Sequence, residues 1–290
     1  MRLLLVHGIA QGGKNPSDLQ VAWIETLQKG YKAAGIPYPS SLAVDFPYYG
    51  DALDARVARS KLPMPKEITP KGDAAASPYE EFLRRSLREM QANAGVSDDE
   101  VATEAGPIPA TEKGIQNWRL TQAIARLIDK RFTDFTSHTI DNFLRDVYLY
   151  ISDRNTTREI NAIVSAKLTD EPTVVVGHSL GTVVAYRVLL EQGNKVKLRR
   201  FITVGSPLGI KAISSYLGVL KYPLADLLWY NAYDKRDIVA LNPLKDPYFK
   251  TTPEITNYNQ VRNETDNRHG IIGYINDATV AQCIAEALSN

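Results

Sequence analysis

The apolar residues of this chain change their period several times, and each change marks a boundary. Leu3-Leu4-Leu5-Val6 is an unbroken apolar run ending before Gly8, which predicts a short buried strand over residues 2–6. Ser17 with Gln20 three residues later has the form of a capping box, and Val21, Ile24, Leu27 and Tyr31 then share one helical face until Gly35 stops the helix. Residues 41–46 read as a second strand. Strand, loop, helix, strand is the repeating unit of a parallel sheet, so the opening predicts an α/β fold.

From about Pro47 to Asn155 the strand signal disappears. Pro63, Pro65 and Pro70 punctuate one stretch and Pro107 and Pro109 another. Ser77-Pro78-Tyr79-Glu80 is a helix start, with a capping serine, proline in the first turn and glutamate at the capping-box position. Ser97-Asp98-Asp99-Glu100 reads as another. Three amphipathic stripes follow these signals: Tyr79, Phe82, Leu83, Leu87 and Met90; then Leu120, Ala123, Ile124, Leu127 and Ile128; then Ile140, Phe143, Leu144, Val147, Tyr148 and Ile151. Residues 50–154 are therefore expected to form a helical insertion inside one domain spanning 1–290.

The strand–helix rhythm resumes at Thr156, which with Glu159 suggests a further capping box and a helix to Leu168. Strands are predicted at 173–176, 201–204, 227–232 and 255–261, and a terminal helix at about 274–288. The first of these strands runs straight into Gly177-His178-Ser179-Leu180-Gly181, followed by the helical run Val183, Val184, Val188, Leu189. G-x-S-x-G between a strand and a helix is the context in which a serine sits on a tight, strained turn, exposed as a nucleophile. Side chains at the two glycine positions would collide with neighbouring backbone. The helix N-terminus behind the serine favours developing negative charge.

A serine nucleophile needs a base to take its proton. The chain has four histidines: His7, His138, His178 and His269. His178 adjoins the serine and should point away from its hydroxyl, and His138 lies in the insertion. Where a strand–turn–helix serine is followed by its acid and then its histidine, the order leaves His269, between the last predicted strand and the last helix. The acid must lie between them. Asp234 and Asp237 stand at the end of the penultimate strand, and Asp266 is a further carboxylate. Its role would be to fix the imidazole tautomer and stabilise the imidazolium.

These motifs resemble the lipase/esterase branch of the α/β-hydrolase superfamily, over roughly residues 1–50 and 156–290; the insertion matches nothing recognisable. The resemblance implies a mostly parallel central sheet flanked by helices, with the insertion as a large helical cap. In that family the acid-bearing strand ends in an acidic residue followed by x-Val, a pattern that Asp237-Ile238-Val239 fits and Asp234 does not. A His-Gly pair after the first central strand precedes an oxyanion-binding N–H, which carries over to His7-Gly8 and the N–H of Ile9, paired with that of Leu180. Val204-Gly205-Ser206-Pro207 resembles a structural turn after a later strand. The implied activity is a serine hydrolase working through Ser179, His269 and Asp237, with an acyl-enzyme and no cofactor or metal. Its expected target is a carboxylic ester, small-molecule or lipid. The alternatives are acyl transfer, a thioesterase or amidase on the same triad, and a catalytically silent binding module.

Composition narrows this little further. With 34 basic and 33 acidic side chains, the formal charge of +1 offers no basic surplus for a nucleic-acid partner. A lone cysteine, Cys283, permits no intrachain disulfide and reads as a small buried hydrophobe. Four apolar residues at the N-terminus are too few for a signal peptide or membrane span, so a cytoplasmic protein without a transmembrane segment is expected. Gly8 to Asn15 nearly spells a P-loop, but asparagine replaces the hydroxyl residue that would hold magnesium. From His7 to Ser179 is 172 residues, roughly 90–100 more than ordinary elements need, which is room for the cap.

Overall fold

Leu3 and Leu5 point to one side of the first strand, Leu4 and Val6 to the other, and all four are buried. A strand apolar on both faces must be covered on both faces, which is the situation of a parallel sheet. The computed structural model describes residues 1–64, 68, 76–107, 113–131, 137–224, 227–266 and 268–289, with backbone alone at 113–117, 129 and 137–139.

In chain order the elements are β1 (Arg2–Val6), α1 (Pro16–Ala33), β2 (Ala43–Asp45), α2 (Gly50–Ser60), α3 (Pro78–Asn93), α4 (Asp98–Ala105), α5 (Lys113–Arg131) and α6 (Ser137–Ser152). Then come α7 (Arg154–Ser165), β3 (Thr173–His178), α8 (Leu180–Gln192), β4 (Leu198–Val204), α9 (Lys211–Ser214), β5 (Leu228–Ala232), β6 (Thr256–Tyr258), α10 (Ile272–Ile275) and α11 (Ala278–Ser289). Among the described residues six strands form one sheet in the order β2-β1-β3-β4-β5-β6, every neighbouring pair parallel. The chain leaves β1 toward one edge and returns as β3 on its other side. The crevice beyond the C-terminal ends of β1 and β3 is thus a topological switch point, where open α/β sheets bind ligands.

Two apolar layers cover the sheet. Leu3, Leu5, Val174, Val176, Ile202 and Val204 pack against Trp23, Leu27 and Tyr31 of α1, Tyr274 of α10 and Ile284 of α11. On the other face Leu4, Val6, Val175, Phe201 and Trp229 belong to a single cluster with Val183 and Val184 of α8 and with the stripes of α3, α5 and α6. The helices between β2 and α7 therefore share the core of the sheet. Among the described residues no strand occurs within 50–154, and no helix is long and apolar enough to cross a membrane. Pro65, Pro70 and Pro109 lie outside the described residues.

Several local expectations shift. The cap of α1 is Asn15, whose Oδ1 accepts from the N–H groups of Ser17 (2.8 Å) and Asp18 (3.4 Å), with Pro16 in the first helical position that suits it. Trp23 and Thr26 take burial expected of Val21, which is exposed. Asp153 caps α7, accepting from both the N–H (2.7 Å) and Oγ1 (2.6 Å) of Thr156, so the threonine hydroxyl is consumed by the cap before it. The terminal helix is broken in two, because Asp277 accepts from the N–H groups of Thr279 (2.9 Å) and Val280 (3.0 Å) and starts α11 afresh. The capping boxes at Ser77–Glu80 and Ser97–Glu100 form as the pattern requires.

Candidate functional site

β3 carries the chain to His178, and Ser179 then adopts φ 55° and ψ −129° before α8 begins. A serine at positive φ is strained by about 1–3 kcal/mol, and its surroundings explain how it is held. A Cβ on Gly177 would come within 2.9 Å of the Gly181 carbonyl oxygen, and one on Gly181 would overlap the carbonyls of Val6 and His7. A Cβ on Gly8 would lie 2.8 Å from that of Ser179. The strand ends and the helix meet backbone to backbone. Thr182 returns its N–H (2.9 Å) and hydroxyl (2.7 Å) to the Ser179 carbonyl, and its Oγ1 also lies 2.8 Å from the Oγ of Ser206. Ser206, in the Val204–Pro207 turn, thus braces the elbow.

The residues separated in sequence meet here. His269 Nε2 lies 2.8 Å from Ser179 Oγ, and His269 Nδ1 lies 2.7 Å from Asp237 Oδ2. The second oxygen of Asp237 accepts the Val239 N–H at 2.9 Å. With the carboxylate on Nδ1, the imidazole carries its proton there, and Nε2 is left to accept from the serine hydroxyl. Asp234, the neighbouring candidate, is engaged elsewhere: it pairs with Arg236 (2.7 Å) and accepts the N–H of Asn263 (2.7 Å). Burial pushes its pKa up, but Arg236 and the backbone donors outweigh this and hold it below the usual value. Asp266 is exposed.

Three supporting residues were not assigned from sequence as parts of the relay. Tyr274 donates its hydroxyl to Asp237 Oδ2 at 2.6 Å. His178 lies beside the His269 ring (centroids 4.9 Å apart), and its Nε2–H donates to the His269 carbonyl at 2.7 Å. Burial, followed by the adjacent His269, pushes its pKa well below 6.5, so it stays neutral. His7 is held further back. Its Nε2 accepts the Tyr49 N–H (3.0 Å), so Nδ1 carries the proton and donates to the Gly8 carbonyl (2.8 Å), while its ring stacks on Tyr49 at 3.9 Å. A glycine carbonyl fixed by a buried imidazole is what steadies the loop before Ile9. No periodicity could announce these contacts; the signals in the sequence were the adjacency of His178 to Ser179 and the His7-Gly8 pair, and Tyr274 had none.

A cavity of about 380 Å³ opens over Ser179 and His269, lined by Ile9, Trp23, Ile271 and, from the insertion, Phe143. The Phe143 ring meets His269 edge-on at 6.4 Å. Neither the Ile9 N–H nor the Leu180 N–H donates a hydrogen bond among the described residues; Leu180 follows Ser179 in the chain, and Ile9 lines the same cavity as Ser179. The P-loop-like segment is filled differently: the Gly13 N–H donates to the Asp51 carboxylate (2.7 Å), and Asp54 packs so tightly on Gly12 that a Cβ there would clash. Two carboxylates in that cradle oppose a phosphate. Cys283 is buried, its Sγ 3.2 Å from Arg200. No protein family, curated protein or solved structure matches the chain significantly.

Burial pushes the His7 pKa from 6.5 down to about 4, with the Lys14 charge adding to it. The unfolded chain takes up this proton below pH 6.5 and the folded one does not, so stability is lost as the pH falls through that window toward 4. For one group displaced this far the loss is about 3 kcal/mol. The Asp146 carboxyl, raised by burial to about 6, works in the opposite direction over much of the same range. The measurement is therefore a difference. Chemical denaturation of wild type and His7→Gln at pH 7 and pH 4.5 should show the variant less stable at pH 7 and the gap narrowing in acid. A gap independent of pH would mean that His7 is not buried neutral.

Proposed function

We propose that the chain is a serine hydrolase with an α/β-hydrolase fold, cleaving a carboxylic ester through Ser179, His269 and Asp237. The observation that carries this reading is the continuous relay from Ser179 Oγ through the His269 ring to Asp237. Its serine stands at positive φ on a strand–helix turn at the switch point of a parallel sheet. A structural serine has no need of that strain, nor of a buried imidazole whose far nitrogen is fixed by a buried carboxylate.

In the proposed reaction His269 Nε2 takes the proton of Ser179 as Oγ attacks the ester carbonyl carbon. The oxyanion that forms is received by the N–H groups of Ile9 and Leu180, neither of which is spent on another acceptor among the described residues; losing one such donor typically costs about 100- to 1,000-fold in rate. His269 then gives its proton to the departing alcohol, leaving an acyl-serine. A water molecule, deprotonated by the same nitrogen, attacks the acyl carbon and releases the acid. Asp237 keeps its charge throughout and stabilises the imidazolium. In this reading the helices of residues 50–154 form the cap. Phe143 from α6 walls the cavity beside His269 and limits what the acyl site can hold.

Three measurements test this. A fluorophosphonate probe should label the wild-type protein, and Ser179→Ala should lose both labelling and hydrolysis of a panel of activated esters while remaining folded. Equal labelling of the two would end the assignment. Asp237→Asn should lower kcat by orders of magnitude through loss of the orienting partner. Asp234→Asn, which disturbs an ion pair outside the relay, should stay within roughly tenfold in kcat/KM, with its main effect on melting temperature. The reverse ranking would point to the other carboxylate. Because the cap shares its core with the sheet, its role is best read at one side chain. Phe143→Leu should raise the ratio of kcat/KM for hexanoyl over acetyl esters severalfold; an unchanged ratio in a folded, probe-reactive variant would remove Phe143 from the acyl site.

A further inference from the structure

The Asp237 carboxylate takes three donors, and their distribution is uneven. Oδ1 receives the Val239 N–H at 2.9 Å, whereas Oδ2 receives both His269 Nδ1 at 2.7 Å and the Tyr274 hydroxyl at 2.6 Å. Two strong donors on one oxygen share its charge, so each weakens the hold of the other. Tyr274 cannot easily turn away. It is fully buried, and its ring lies against Gly205, where an added Cβ would come within 2.9 Å of Cε2. Its hydroxyl also accepts the Asp234 N–H at 3.4 Å. Burial, and then the Asp237 charge, raises the phenol pKa well above 10, so toward the carboxylate it acts as a donor only.

We propose that Tyr274 is a positioning residue of the relay, its hydroxyl aiming Asp237 Oδ2 at His269 and setting how strongly that oxygen holds the imidazole. This rests on the serine-hydrolase reading above and adds a fourth side chain to it. A buried tyrosine hydroxyl needs some hydrogen-bond partner, and any backbone carbonyl would satisfy it. Here it is spent on the one oxygen that receives the imidazole. The consequence has a sign. Removing the hydroxyl concentrates the carboxylate's charge on His269 and favours the imidazolium, while it frees the carboxyl group to rotate.

The charged and titratable groups around the relay are few enough for that sign to be read. His178 from β3 faces the His269 ring and stays neutral. Asp234, on the loop after β5, is paired with Arg236, which in turn reaches Glu264. On the loop after β1, Lys14 acts on His7 and His7 on His178, and Arg268 precedes His269 in the chain. Of these groups only Asp234 touches the Tyr274 hydroxyl, through its backbone N–H and not through the carboxylate that pairs with Arg236.

The experiment compares wild type, Tyr274→Phe and a protein with 3-fluorotyrosine incorporated at position 274, over the pH range of ester hydrolysis. Tyr274→Phe should move the acidic limb of the kcat/KM profile up by about 0.5–1 pH unit and lower kcat about tenfold on the plateau, with KM little changed. Fluorotyrosine keeps the shape but makes the phenol a stronger donor, so its acidic limb should move the opposite way. That second arm stands even if the phenylalanine variant fails to fold. Displacement of the limb in opposite directions supports the proposal. Acidic limbs that coincide with wild type in the folded variants, whatever their melting temperatures, would reduce Tyr274 to a core residue and overturn it. Labelling of wild-type Ser179 by the fluorophosphonate separates this from failure of the hydrolase reading itself: without labelling both fall, and with it only the role of Tyr274 is at stake.

Discussion

Ser179 stands at φ 55°, a conformation that most side chains avoid, and the surrounding structure makes no concession to relieve it. Three glycines let the backbones of β1, β3 and α8 close to contact around the turn, at Gly8, Gly177 and Gly181. Closure of that kind requires β1 and β3 to be neighbours in register, and Val6 pairs with Gly177. Beyond that pair the ladder continues irregularly: the Ser179 N–H bonds to Val204 and the Gly205 N–H to Ala232, so β4 and β5 also end level with the elbow. The loops that carry Ile9 and Asp237 start from the ends of β1 and β5, and the segment that carries His269 starts from β6, whose Tyr258 carbonyl accepts the Tyr233 N–H just past β5. The strained turn and the parallel register are therefore one constraint seen at two scales.

The electrostatics follow from the same crowding. His7, His178 and His269 are all buried within one aromatic and backbone-lined pocket. Two of them have backbone partners, a carbonyl for His178 and both a carbonyl and an N–H for His7, and burial keeps both neutral. Only His269 faces a carboxylate. An imidazolium forming at His269 would meet the neutral ring of His178, itself beside neutral His7, instead of a competing cation, which matters in a region where charges are poorly screened. The His178 bond to the His269 carbonyl also fixes the backbone from which the His269 ring projects.

Much of this was readable in the sequence, and the reasons it was are local. The β3–Ser179–α8 passage joins a strand pattern, two obligatory glycines and a helical pattern within a few residues, and each reinforces the others. The stripes of α3 and α6 are regular enough that every residue assigned to them is buried. What was not readable depends on competition or on distance. Asn15 and Asp153 displaced the expected caps because a stronger capping residue stood a few positions earlier, and Asp277 split the last helix for the same reason. In the sequence Asp234 and Asp237 differ only by the x-Val that follows Asp237; the physical difference lies in distant contacts, Arg236 and Asn263 for Asp234 and His269 for Asp237. Tyr274 lies 37 residues from the carboxylate it touches, on a four-residue helix with no periodicity to notice.

How a substrate would reach Ser179 also follows from packing. Phe143, Leu144, Val147 and Ile151 of α6 are all buried, in the same cluster as Val183 and Val184 behind the elbow. Lifting α6 as a rigid lid would expose those four side chains, at roughly 1.5–3 kcal/mol each. The sum approaches the whole stability of an ordinary domain, about 5–15 kcal/mol. A motion of that size is not a gate that opens on every turnover. Of the residues that line the cavity, Ala10, Lys14, Ala22 and Ile272 are the exposed ones, whereas Phe143 of α6 is buried. In the proposed hydrolase a substrate would therefore enter beside the loop after β1, α1 and the turn after His269, the parts of the lining that solvent reaches. Apart from Ala22 on α1, the residues that would select a substrate at the mouth lie on or beside the same two loops that carry Ile9 and His269.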